Sequence, residues 1–240
     1  MTTVPEDAHL LAIDIETASP RESPGKGDFQ DTSYFELVAV GLGYQPGPDE
    51  TIETEVLFRQ GGWETEATSD LLQRVDSWCA KRKSDGVITY NGEYFDKQHL
   101  MEWGQDLTKT EVWPEAGPRI ERLFSEHIDI MSLAVEHYED RLNSWQTRIN
   151  LEKVCEWEGI DIPETYYDDY DLGRLLKDPE IDSPSVTNVH IGEVLGEAYV
   201  DHLIEDRTES KRFRELERLL RHYTQADIEP LFHLSRRFTG

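Results

Sequence analysis

The most constraining stretch of the chain is an apolar run broken by two acids, Leu10-Leu11-Ala12-Ile13-Asp14-Ile15-Glu16-Thr17. An extended chain turns successive side chains to opposite faces. Asp14 and Glu16 therefore share one side of a strand, and Leu11, Ile13 and Ile15 fill the other. Such a strand holds two carboxylates near enough to grip one divalent cation. Taken alone, the pair also fits an ordinary half-solvated strand.

At 240 residues the chain can form one large domain or two small ones, and either buries a substantial core. It carries 50 acidic and 24 basic side chains, a formal net charge of −26, and the acids are spread from Glu6 to Glu229. Arginine outnumbers lysine, 16 to 8. High net charge accompanies disorder, but 37% hydrophobic and 10% aromatic content point to a folded chain. Adaptation to a salt-rich cytoplasm, as in a halophile, is the other reading of this charge. In molar salt the Debye length is about 3 Å, so acidity does not exclude nucleic acid as a partner.

Cys79 and Cys155 have no metal-type spacing and read as small buried thiols rather than a disulfide. No charged-then-apolar leader and no apolar stretch near 18 residues is present, which predicts a soluble, cytoplasmic protein without a membrane anchor.

Residues 8–16, 34–44 and 51–59 read as strands, with Pro46, Gly47 and Pro48 turning the second into the third as an antiparallel meander. Residues 18–33 read as a loop. Helical spacing runs over 65–83, followed by a short strand at 86–90 and a helix from Tyr94 or Phe95. A Pro- and Gly-containing loop then leads to a short strand at 127–130 and a helix over 131–139. Further helices are expected at 150–158, 190–205 and 209–236. Three antiparallel strands followed by strand–helix alternation predict a single α/β domain over 1–240 with a mixed sheet. The irregular stretch 159–189 reads as an insertion or lid.

Two further motifs carry chemistry. In Tyr90-Asn91-Gly92-Glu93-Tyr94-Phe95-Asp96 a β-rich run stops at a turn pair, which places Asp96 in the first turn of a helix beyond a strand end. Ligands of α/β sheets bind outside those ends, although an acid there also suits the helix dipole. In His222-Tyr223-Thr224-Gln225-Ala226-Asp227, helical projection puts Asp227 roughly 40° from Tyr223, on the side of Leu216 and Leu220. A carboxylate on that inward face needs a cation or hydrogen-bond donors. Pro230 removes the amide that would bond Ala226, and a kink is expected just past Asp227. Four carboxylates and a tyrosine at strand ends and a facing helix suit two-metal phosphoryl chemistry.

Asp14-Ile15-Glu16, Asn91 with Phe95-Asp96, and Tyr223 with Asp227 resemble motifs I, II and III of the DEDDy 3′–5′ exonucleases, of the ribonuclease H-like superfamily. The second motif is most similar to that of the proofreading domain of family-B DNA polymerases. The likeness spans residues 10–234 and implies a ribonuclease H-like sheet flanked by helices, in a free-standing form. It implies that Asp14, Glu16, Asp96 and Asp227 hold two Mg²⁺ or Mn²⁺ ions and that Tyr223 orients the attacking water. Thr17, Asn91 and Phe95 would position substrate. The implied reaction is hydrolysis of 3′-terminal phosphodiesters in DNA or RNA, on single-stranded or frayed 3′ ends such as DNA repair handles, releasing nucleoside 5′-monophosphates. A catalytically silent ribonuclease H-like module that binds nucleic acid or protein is the alternative.

His222 also satisfies the His-x-x-x-x-Asp spacing of the sister DEDDh group. In continuous helix, however, it lies roughly 140° from Asp227 against 40° for Tyr223, which favours the tyrosine. Asp129 competes with Asp96 as third acid but suits a helix N-cap equally. Lys211, Arg214, Arg218 and Arg221 form a stripe pointing away from Tyr223 and read as a solvated face. Arg212 falls on the Tyr223 side and is the candidate phosphate contact. The aromatic segment Tyr166–Tyr170 is either a base-stacking element or a packed flap.

Overall fold

The computed structural model describes residues 7–143 and 145–239. Its centre is a five-stranded sheet of order β3-β2-β1-β4-β5. The strands are β1 (Leu10–Ala18), β2 (Glu36–Gln45), β3 (Glu53–Phe58), β4 (Gly86–Thr89) and β5 (His127–Asp129). β1, β2 and β3 pair antiparallel, whereas β4 runs parallel to β1 and β5 parallel to β4. This is the mixed arrangement of a ribonuclease H-like fold.

β1 is the central strand, and its alternation sorts the core. Leu11, Ile13 and Ile15 pack with Leu71, Leu72, Leu100 and Ile120 beneath α1 (Thr65–Ala80), α2 (Asp96–Lys109) and α3 (Ala116–Leu123). Leu10 and Ala12 face the other way, into a cluster with Ile228, Leu231 and Phe232 of the long helix α8 (Lys211–Thr239). That second layer also includes α4 (Ile130–His137) and α5 (Leu151–Glu158), while the short helix α6 (Asn188–His190) passes through a π-turn at Ile191–Leu195 into α7 (Gly196–Ile204). Asp14 and Glu16 continue the Leu10–Ala12 parity and so face α8.

α8 approaches the sheet closely because β2 presents glycine beneath it. Asp14 pairs across the ladder with Gly41. A Cβ on Gly41 would lie 2.7 Å from Thr224 Cγ2, and one on Gly43 2.6 Å from Ile228 Cγ2 and 2.7 Å from Phe232 Cε2. The two missing side chains bring Thr224 and Asp227 down onto β1. α8 runs unbroken through the buried Pro230 to Thr239, beyond the end expected from sequence.

Two elements depart from the sequence reading. Residues 116–123, read as loop, form α3; Pro118 sits in its first turn, where the missing amide has no helical partner to lose. The expected helix over 190–205 is interrupted by the π-turn, whose Gly192 carbonyl accepts from Ser19 N–H at 2.9 Å. Within 159–189, Tyr167, Tyr170, Leu172 and Val186 are buried against α7 and α8 side chains, with one bridge from Tyr166 to Ser185. No helix among the described residues is long and apolar enough to cross a membrane.

Filling the close approach should cost stability. Gly43→Val is expected to lower it by about 1–3 kcal/mol through overpacking, read as a lower urea midpoint. Gly27→Ala, with open space around its Cβ, should stay within about 0.5 kcal/mol. Equal midpoints for the two variants would contradict this packing.

Candidate active site

Three segments meet at the carboxyl end of β1. β1 contributes Asp14 and Glu16 just before a bulge between Glu16 and Thr17. The turn after β4 contributes Asn91, with φ of 65° in the left-handed region that asparagine tolerates, and Asp96 at the first position of α2. α8 contributes Tyr223, Thr224 and Asp227.

Two hydrogen bonds stitch these segments together. Ile15 N–H donates to Asp96 Oδ1 at 3.0 Å, holding α2 against β1. Thr224 Oγ1 lies 3.1 Å from Glu16 Oε1 and 2.9 Å from the Leu220 carbonyl, so its one proton bridges α8 toward β1. Glu16 and Asp96 are 6% and 3% exposed, and Asp14 and Asp227 are half-buried.

The electrostatics report how tightly the acids crowd. Burial raises the Asp14 carboxyl well above its ordinary range, and Glu16, Asp96 and Asp227 raise it further. Glu16 is pushed up to about 8 by burial and then Asp227, against the Thr224 hydroxyl that lowers it. Asp96 rises to about 7 through burial, opposed by the Ile15 amide. Asp227 rises to about 7 through burial and then Glu152. Burial, then Glu16, Asp227 and Asp14, also hold Tyr223 firmly in its neutral phenol form.

Sequence reasoning did not single out Thr224 or Glu152. A hydroxyl three residues before Asp227 on the inward face was the available signal for the first. Glu152, in the first turn of α5, reads simply as an acid favouring a helix N-terminus.

Only some of the other candidates lie with these acids. Asp129 caps α4: Oδ1 accepts from Met131 N–H and Asn91 N–H, both at 3.0 Å, and Oδ2 from Glu93 N–H at 3.1 Å. It thereby pins the turn that carries Asn91. The Asn91 side-chain Oδ1 is buried and has no hydrogen-bond partner. Phe95 packs edge-on to Phe35, centroids 5.4 Å apart, and to His99 at 4.5 Å. Thr17 is buried past the bulge, beside Gly192. His222 is exposed, with Nδ1 2.6 Å from the Tyr170 hydroxyl. It lines a cleft of about 790 Å³ with Gln225, Glu229 and His233, a cleft that none of the four acids lines. Arg212 is not brought to the acids; it lies in the first turn of α8 against Gly173, about 16 Å along the axis from Tyr223.

Among the described residues, no three acid, imidazole or thiol groups close on one point as a ready-made ion cage. The donor set nevertheless suits hard divalent cations, which prefer carboxylate oxygen. Four neighbouring acids, each driven toward protonation by its surroundings, are the environment a cation relieves.

No protein-family model matches the chain, and no curated protein matches it. Among solved structures it is similar to the family B DNA polymerase from the hyperthermophilic archaeon Pyrobaculum calidifontis, at 17% identity and a TM-score of 0.43. That superposition covers 99% of this chain and 25% of the polymerase. An ExoI/SSB-Ct complex superposes at 12% identity and a TM-score of 0.43, covering 90% of this chain and 44% of the other. E. coli Exonuclease I in complex with a 5cy-dT13 oligonucleotide does so at 14% and 0.38, covering 90% and 43%. The chain thus spans less than half the length of each. These likenesses are too distant to assign an activity.

The raised carboxyl groups fix a sign for stability. A folded-state pKa above the ordinary value means stability is full below about pH 4 and is lost as pH rises through 7 to 8. In EDTA the melting temperature should therefore fall between about pH 5 and pH 8.5, less steeply for Glu16→Gln. Mg²⁺ or Mn²⁺ should raise it more at the higher pH. Identical slopes in the two proteins would contradict the crowding.

Proposed function

We propose that the protein is a metal-dependent 3′–5′ exonuclease acting on single-stranded or frayed 3′ ends of DNA. The observation that carries this reading is the meeting of Asp14, Glu16, Asp96 and Asp227 beside the neutral phenol of Tyr223. A binding module needs none of these groups, and crowding four acids together, two buried and two half-buried, is expensive.

Asp14, Glu16 and Asp227 would hold one Mg²⁺ or Mn²⁺, and Asp14 with Asp96 a second. When bound, such a pair supplies charge for both the attacking and the departing oxygen of an in-line displacement. The chain's own residues do the rest. Tyr223 stays protonated, so its O–H and lone pairs can fix a water in line with the terminal phosphorus. Thr224 holds Glu16 in place, and Asp129 holds the Asn91 turn. The unpartnered Asn91 Oδ1 is available to a donor on the terminal nucleotide, and Phe95, four residues on, is held by Phe35 and His99. The water oxygen bonds to phosphorus and the bond to the 3′-oxygen breaks. A nucleoside 5′-monophosphate leaves, a new 3′-hydroxyl remains, and the water's second proton passes to solvent.

Two outcomes check this. On a 5′-labelled oligonucleotide with Mg²⁺ or Mn²⁺, the protein should give a descending ladder that EDTA or Asp14→Ala abolishes. Tyr223→Phe should slow it by roughly 10²-fold or more, the cost of a misplaced nucleophile, while His222→Ala stays near wild type. The reverse ranking would reassign the water-orienting role, and an intact substrate under every metal would favour the silent module.

The charge balance adds a proposal about conditions. With a net charge of −26, self-repulsion opposes the compact state until salt screens it. The melting temperature should climb steadily as KCl is raised toward molar concentrations. A flat or falling curve would contradict a halophilic protein.

A further inference from the structure

We propose that Tyr94, Trp145 and Arg148 form a stacking shelf that holds unpaired nucleobases next to the acidic recess. The exonuclease reading supplies the ligand class, and the shelf extends it to how the strand beyond the terminal nucleotide is held.

Tyr94 is 44% exposed in the turn between β4 and α2, two residues before Asp96. The Arg148 guanidinium carbon lies 4.9 Å from the Tyr94 ring centroid. Arg148 makes no ion pair within 4 Å among the described residues, in a chain with 50 acids where most other arginines are paired. Trp145 is 77% exposed, in a turn where Gln146 N–H donates to the Asn143 carbonyl at 2.8 Å.

The loop and the turn are tied to each other. Tyr90 Oη donates to the Ile149 carbonyl at 2.7 Å, and Tyr94 N–H donates to the Asn91 carbonyl at 3.1 Å. The first bond anchors the loop bearing Trp145 and Arg148 to the end of β4, and the second closes the turn that carries Tyr94. Ile149 is thereby held at the end of β4, the strand next to β1, and Arg148 over the Tyr94 ring, with Trp145 three residues earlier in the same loop.

Leaving a tryptophan and a tyrosine in water forgoes the burial that aromatic side chains ordinarily gain. Aromatic faces with an interleaved arginine are what an unpaired strand stacks on, since every base offers a π-face. The guanidinium also puts a positive charge over the Tyr94 ring, two residues along the chain from Asp96, which would offset the repulsion between the carboxylates and a strand's phosphates. A folded protein partner would instead call for a broader apolar patch, and the two rings are flanked by the exposed Glu93, Asn143 and Thr147.

Fluorescence anisotropy of 5′-fluorescein decathymidylate, with Ca²⁺ in place of Mg²⁺, tests the shelf on the full chain. Tyr94→Ala/Arg148→Ala should weaken binding at least tenfold and Trp145→Ala several-fold, with melting temperatures unchanged. Tyr94→Phe, which keeps the ring, should bind like wild type. Dithymidylate, too short to reach past the recess, should lose far less affinity in the same variants. Unchanged decathymidylate affinity in the double variant, equal losses for both lengths, or no binding by the wild type would each overturn the shelf. Hydrolysis of p-nitrophenyl thymidine 5′-monophosphate by the wild type reports separately on the exonuclease reading. Its absence would remove that reading while anisotropy still decides whether the shelf binds a strand.

Discussion

Four carboxylates crowded together, two buried and two half-buried, repel, and each has lost some of the water that would stabilise its charge. The rest of the structure is arranged to hold them there. β1 is flanked on both sides, so Asp14 and Glu16 cannot swing out without breaking the sheet. Gly41 and Gly43 remove the side chains that would lift α8 and Asp227 away. The Ile15 amide on Asp96 and the Thr224 hydroxyl on Glu16 lock the remaining freedom. Removing any of these supports would let the acids relax apart. A cation bound among these acids would relieve the repulsion that the supports hold in place.

A second layer of residues acts on the positioning residues rather than on substrate. Asp129 spends both oxygens on backbone amides, three in all, and so sets the conformation in which Asn91 takes positive φ. With both oxygens so engaged, Asp129 is the helix cap that its sequence position also suited. His222 is likewise engaged by Tyr170 on the opposite side of α8, in keeping with the rotation of roughly 140° that separates it from Asp227.

Much of this was legible from periodicity. The two-residue alternation of β1 and the helical face of α8 each rest on long, strongly patterned segments, and both place their acids on the face where they occur. α3 was hidden because Pro114, Gly117 and Pro118 look like loop punctuation, although a proline in a first helical turn loses no hydrogen bond. The π-turn at Ile191–Leu195 has no compositional mark, and its Gly192 carbonyl is tied to the amide of Ser19, a residue far away in sequence. Glu152 and the glycine-cushioned approach of α8 depend on which elements neighbour each other, which no single segment encodes. Arg212 shows the limit of a helical wheel: it shares an azimuth with Tyr223 but not a height along the axis.

The central claim is that the acids form a cation site. Titrating the protein with Mn²⁺ in molar KCl, and counting free ion by electron paramagnetic resonance, tests it most directly. The 50 acidic side chains give a weak background that wild type and Asp14→Asn share. Above it, wild type should take up two Mn²⁺ per chain near pH 8, and Asp14→Asn should lose both. Superimposable titrations for the two proteins would contradict the account.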